Sequence, residues 1–178
     1  MSSEFPTHPV ESVCRRLRED PLTAAIFRGG IYLSHGGGDG EGVHPINPED
    51  TPDAYELDGG FKTLLPTALL TVGADGPMQA GRDTIRRIFL LLHVFQAEGY
   101  SEIRDGLVRA RQVLHKTNTG TYRPSALTDT DLFYLIEYVD TPLSGLTDTS
   151  VVTGSGKRPA CYEAARFVAY TDFLEPSA

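Results

Sequence analysis

Residues Arg86–Phe95 read RRIFLLLHVF, and the turn AEGY and a helical segment, Ser101–Lys116, follow them. Counted with a strand's two-residue period, Ile88, Leu90, Leu92 and Val94 line one face. Phe89, Leu91 and Phe95 line the other, with His93 among them. A strand that is apolar on both faces has to be covered on both. The helix behind it covers one. Few other long helical patterns occur in the chain, so a partner subunit is the expected cover for at least part of the second.

Working outward, Ser101 reads as the N-cap of that helix. Glu102 and Asp105 lie in its first turn and His115 and Lys116 in its last, in agreement with the helix dipole. Ile103, Leu107, Ala110 and Leu114 make its apolar stripe. Arg104, Arg109 and Arg111 fall on other faces, as a solvated or interface surface. Upstream, Thr7 and Pro9 open a first helix in which Val10, Val13, Cys14 and Leu17 recur at helical spacing. Asp20-Pro21 then stops that helix and starts a short one, Leu22–Phe27, which Gly29-Gly30 ends. Brief strands follow at Ile31–Leu33 and, after Pro66, at Thr67–Ala74. Two more are predicted at Leu132–Val139 and Ala160–Phe173. Two stretches, about 34–65 and 140–159, lack a sustained period and read as long loops that order against a neighbour. The expectation is a single α+β domain over residues 1–178. Its sheet is mainly antiparallel, of four to five strands, with two helices packed on one face.

Composition narrows the function. A formal net charge of −8 over 178 residues argues against a protein that holds nucleic acid by neutralising phosphates. No apolar run is long enough to cross a bilayer. The N-terminal MSSEFPTHPVES has neither a basic nor an apolar signal-peptide region, so synthesis in the cytosol and no membrane partner are expected. Cys14 and Cys161 are too isolated for a paired motif and read as buried free thiols.

Four clusters invite a chemical reading. His35, Asp39, Glu41 and His44 hold potential metal ligands, but their spacing matches neither a helical His-x-x-x-His pair nor a calcium-binding loop with its terminal bidentate Glu, and the glycines between them leave them poorly preorganised. A flexible polar loop with no metal is expected there. Gly154-Ser155-Gly156-Lys157 resembles part of a phosphate-binding loop. That motif needs Gly where Val151 stands, and Ser or Thr where Arg158 stands, so a turn before the final strand is the better reading. His93 reads as a hydrogen-bonded core or interface histidine. Glu137 and Glu163 are either a carboxylate pair for acid–base work or rim charges and partners of Arg166 and Arg87. No nucleophile elbow is present. The expectation is a protein that is not an enzyme, without catalytic residues or cofactor. The rival from another class is a small metal-dependent hydrolase using the His35–His44 loop. A ligand-binding domain with its pocket under the sheet is a further one.

Several short signatures occur in a fixed order. They are Val13-x-x-x-Leu17-x-x-Asp20-Pro21-Leu22, Gly30-Ile31-Tyr32, and Pro66-Thr67-Ala68-Leu69-Leu70-Thr71-Val72. The strand ending His93-Val94-Phe95, the helix to Leu114 and Ala165-Arg166-Phe167-Val168-Ala169-Tyr170 complete the set. Over roughly 150 residues this arrangement resembles the tail-terminator, or tail-completion, family of long-tailed bacteriophages and phage-like particles. The resemblance implies a small α+β fold and a hexameric ring on the head-proximal end of the tail tube. It implies a virion protein of the tail or neck, assembled in the host cytoplasm, that meets the tube protein on one side and the head connector or stopper on the other. Genomic DNA would pass through its lumen without sequence-specific binding. Phe89, Leu91, His93, Phe95, Arg104, Arg109 and Arg111 are the expected subunit-interface residues. A neighbouring neck role, head–tail joining or stopper, is the alternative within the same assembly.

Overall fold

A computed structural model describes residues 9–34, 46, 51–58, 60–77, 85–115, 135–143, 149–153 and 156–172. Its helices are α1 (Pro9–Glu19), α2 (Pro21–Ile26) and α3 (Ser101–Leu114). The strands are β1 (Ile31–Ser34), β2 (Tyr55–Asp58), β3 (Phe61–Leu64), β4 (Thr67–Pro77), β5 (Ile85–Gln96), β6 (Leu135–Leu143), β7 (Thr149–Thr153) and β8 (Gly156–Asp172). A mixed sheet runs β1-β4-β5-β8-β6, with β7 paired to the first residues of β8, and β2-β3 form a separate hairpin. Among the described strands only β1 and β4 pair in parallel. The fold is α+β.

The strand quoted at the outset lies at the sheet's centre, antiparallel to β4 on one side and β8 on the other. Its alternation is realised in full. Ile88, Leu90, Leu92 and Val94 are completely buried, together with Ala68 and Leu70 of β4, Ala165, Phe167 and Ala169 of β8 and Ile136 of β6. Val10, Val13, Cys14 and Leu17 of α1, Phe27, and Ile103, Leu107, Ala110 and Leu114 of α3 close over this face. Two helices, α1 and α3, pack on this face as expected, and the short α2 packs against them.

Local chemistry sets the helix boundaries. Asp20 caps α2: its carboxylate accepts from the Thr23 amide at 2.8 Å and from the Thr23 hydroxyl at 2.7 Å, with Pro21 at the first helical position, where its missing N–H costs nothing. α3 begins at Ser101, but its N-cap position is Tyr100 and has no side-chain cap bond, which moves the boundary one residue from the expected one. After α2 the chain must turn sharply to lay β1 beside β4. Gly29 permits it, since a Cβ there would fall 2.2 Å from Oγ1 of Thr67.

Both expected loops contain strands. Within 34–65, a 3-10 turn (Pro52–Ala54) leads into the β2–β3 hairpin, whose pairing Asp58↔Phe61 leaves a two-residue Gly59-Gly60 connection. Within 140–159, β6 continues to Leu143, and β7 pairs with β8 from Thr149↔Ala160 to Thr153↔Gly156. Thr and Val in TSVVT carry the β-branched preference that a reading for apolar periodicity passes over.

Candidate interaction face of the sheet

The side of the sheet away from the helices gathers Leu69 and Thr71 of β4 with Phe89, Leu91, His93 and Phe95 of β5. Tyr162, Ala164, Arg166, Val168 and Tyr170 of β8 and Glu137 and Asp140 of β6 complete it, as the strand register requires. All four expected β5 interface residues thus share one face. It divides into three zones.

At the Phe95 end the cover comes from the chain itself. Ile46, Ala54, Leu64, Leu69 and Ala160 form a second small core against Phe95, Tyr32 and Tyr55. The hairpin is tied down by backbone bonds from Leu65 N–H to Ala54 and from Ala97 N–H to Leu64, 2.9 and 3.2 Å long. Tyr55 donates to the Ile46 carbonyl at 3.2 Å, and burial pushes its phenol up to about 12. The 34–65 excursion therefore contributes to the intrachain cover of this face.

In the middle zone His93 bridges two strands. Its Nε2 lies 3.1 Å from Oγ1 of Thr71 and its Nδ1 2.6 Å from the hydroxyl of Tyr162. Phe95 packs on the Tyr162 ring with centroids 5.2 Å apart. Burial pushes His93 down from its ordinary value and Tyr162 up, so the imidazole is held neutral, with one ring nitrogen donating and the other accepting. Hydroxyl, imidazole and hydroxyl in a row share the connectivity of a nucleophile, base and orienting group. Thr71, however, is 5% exposed, and β4 is hydrogen-bonded through this stretch to β1 and β5, which leaves a reacting group no approach from either edge. The row is a cross-strand brace, as the sequence led one to expect of His93.

Beyond it, Phe89 and Leu91 are half-buried and ringed by charge. Arg87 lies 4.8 Å from the Phe89 ring centroid. Arg166 forms a two-pronged pair with Asp140, at 2.9 and 2.5 Å, and Tyr170 donates to Glu137 at 3.1 Å. The Arg166 guanidinium holds the Asp140 carboxyl below its usual range. An apolar centre with a polar rim of paired charges has the anatomy of a protein–protein contact.

The three expected interface arginines point to the helical side and find partners in their own chain. Arg104 bonds to Glu163 at 2.7 Å and stands over the Tyr100 ring. Arg109 grips Asp20 at 3.0 and 2.6 Å. Arg111 covers the Tyr138 ring at 4.4 Å. These contacts fasten α3 to β8, to the α1–α2 junction and to β6. Glu137 and Glu163 lie on opposite faces of the sheet, which removes the paired-carboxylate reading. Gly156 and Lys157 are strand residues paired with Thr153 and Val152, so no phosphate-binding strand–loop–helix exists at that point. The His35–His44 cluster lies outside the described residues, and among the described ones no three potential ligands gather. Cys14 is a buried free thiol, raised by that burial, while Cys161 is only half-buried. No helix among the described residues is long and apolar enough to cross a membrane.

The sequence matches no protein-family model and no curated protein.

Proposed function

We propose that this chain is a structural ring subunit of a phage or phage-like tail, a tail terminator that caps the head-proximal end of the tube and joins it to the head connector or stopper. The observation that carries this reading is the zone around Phe89 and Leu91. It is an apolar patch in the sheet, half-buried in the single chain and rimmed by the Arg166–Asp140 ion pair, the Tyr170–Glu137 hydrogen bond and Arg87. A second copy of the chain supplies the missing cover. Head-to-tail contact between unlike surfaces closes into a ring when the rotation closes, and a hexamer is the expected order. Signature residues that carry the family resemblance stand at junctions of the fold: Asp20 at the α2 cap, Gly30 before β1, Thr67 at the start of β4. The net charge of −8 suits a lumen past which DNA slides, because an anionic wall repels phosphates over about 8–10 Å at physiological salt. Steric termination needs no catalytic group. In this reading the protein is not an enzyme, and it resides in the virion neck.

Size-exclusion chromatography with light scattering tests the proposal. A ring mass that Leu91→Glu converts to folded monomer supports it. A stable wild-type monomer at micromolar concentration and above counts against a preformed ring, and an oligomer that Leu91→Glu leaves intact removes this face as its seam.

A further inference from the structure

The middle zone adds a property that the proposed ring contact alone does not require. His93 stands between the half-buried Leu91 side of the face and the hairpin-covered Phe95 side, and both its ring nitrogens are engaged by uncharged hydroxyls. Its neighbours on β4 are Leu69 and Thr71, and on β5 Leu91 and Phe95. On β8 they are Tyr162 and Ala164. Among these the only titratable group is the Tyr162 phenol. Tyr32 of β1 and Tyr55 of β2 are the titratable members of the adjoining small core. Arg166, opposite Leu91 in the register, is bonded to Asp140, and Glu137 is bonded to Tyr170. No described carboxylate is bonded to the imidazole.

Resting on the ring reading, we propose that contact through this face is proton-linked at His93: the contact forms around the neutral imidazole and is loosened when the imidazole takes up a proton. A second proton would not break either hydrogen bond, since both hydroxyl oxygens accept. It would place a cation in an apolar zone where no described carboxylate is bonded to it, and covering Leu91 with a second chain takes away the water that still solvates it. The sign follows from the burial that already depresses His93. The folded subunit already holds His93 below 6.5, and covering the face would lower it further, so the contact is favoured above the subunit's depressed value and weakens as pH falls through that value toward the lower one in the ring. Each contact releases at most one proton, so its dissociation constant rises by at most about tenfold per pH unit. In a closed ring the same linkage repeats at every seam.

The test is sedimentation velocity of the full chain at pH 7.5, 6.5 and 5.5, on wild type and His93→Gln, with far-UV circular dichroism to confirm folding. The expected result is a wild-type ring that dissociates to folded 19.4 kDa subunits as pH falls, and a His93→Gln ring whose mass does not change. Dissociation with the same pH profile in both proteins would assign the effect to another group and overturn the linkage while leaving the ring intact. A wild-type ring of constant mass across the range does the same. A wild-type monomer at all three values overturns the ring reading, and the linkage with it. Should His93→Gln fail to fold, the wild-type His93 imidazole resonance decides: titration at lower pH in the ring than in monomers of the uncharged variant Leu91→Gln upholds the linkage, and equal titration ends it.

Discussion

A Cβ built on Gly106 would lie 2.3 Å from Cζ of Phe27, so α3 approaches the end of α2 only because that position is bare. Gly106→Ala gains about 1 kcal/mol of helix propensity and loses about 1–3 kcal/mol to overpacking against a fully buried ring. The expected net effect is a loss of up to about 2 kcal/mol, read as a lower midpoint in urea. Asp20 does two jobs at one carboxylate, capping α2 and binding Arg109. Asp20→Ala should therefore cost more than a cap alone, about 2–4 kcal/mol, and Arg109→Ala less. The hydrogen bonds from Arg109 and Thr23 hold the Asp20 carboxyl well below its ordinary range. A depressed carboxyl contributes its full stability above its unfolded value near 3.9 and loses it as pH falls through the folded one. Acid titration of stability should accordingly be shallower in Asp20→Asn than in wild type below about pH 4.5, and equal slopes would remove Asp20 from that account. The cap was legible in the dipeptide Asp20-Pro21. Its arginine partner was not, because Arg109 stands 89 residues away and charge alone does not name its mate.

At the scale of elements, β5 could be read from its sequence because a two-residue period needs no partner to be visible. The β2–β3 hairpin was passed over, although YELD-GG-FKTL carries the signal: alternation on both sides of a two-glycine connection. Its polar content hid it, since Glu56, Lys62 and Thr63 interleave with the residues that pack. His93 was placed on the correct face, yet Thr71 and Tyr162 were not foreseen as its partners, because register between distant strands is set by the folded sheet. The hairpin's role gives a separate prediction. Leu64 is buried in the small core, and Leu64→Ala should cost about 2–4 kcal/mol. Hydrogen exchange should show the loss first at the Tyr55–Leu64 amides, with β5 still protected. Uniform loss across the sheet would mean that the hairpin does not open as a unit.

Among the described residues, a helical layer lies on one sheet face, and on the other a hairpin lies over one end with a half-buried apolar patch beside it. Association is the behaviour expected of such a shape, and the oligomer mass of wild type against Leu91→Glu and Phe89→Glu reads it directly. Either substitution should leave a folded monomer or unfold the chain, and circular dichroism separates the two. The place of β8 in the sheet has a consequence for how the protein is made. It is the last strand in the described sequence and yet it lies between β5 and β6, and His93 meets Tyr162 across 69 residues. At about 5–20 residues per second a ribosome needs roughly 3–14 seconds to supply that stretch. Through that interval the nascent chain carries RRIFLLLHVF with one long edge unpaired and both faces incompletely covered. The strand at the centre of the finished sheet is thus, during synthesis, an open edge that a chaperone or a second nascent chain can pair with.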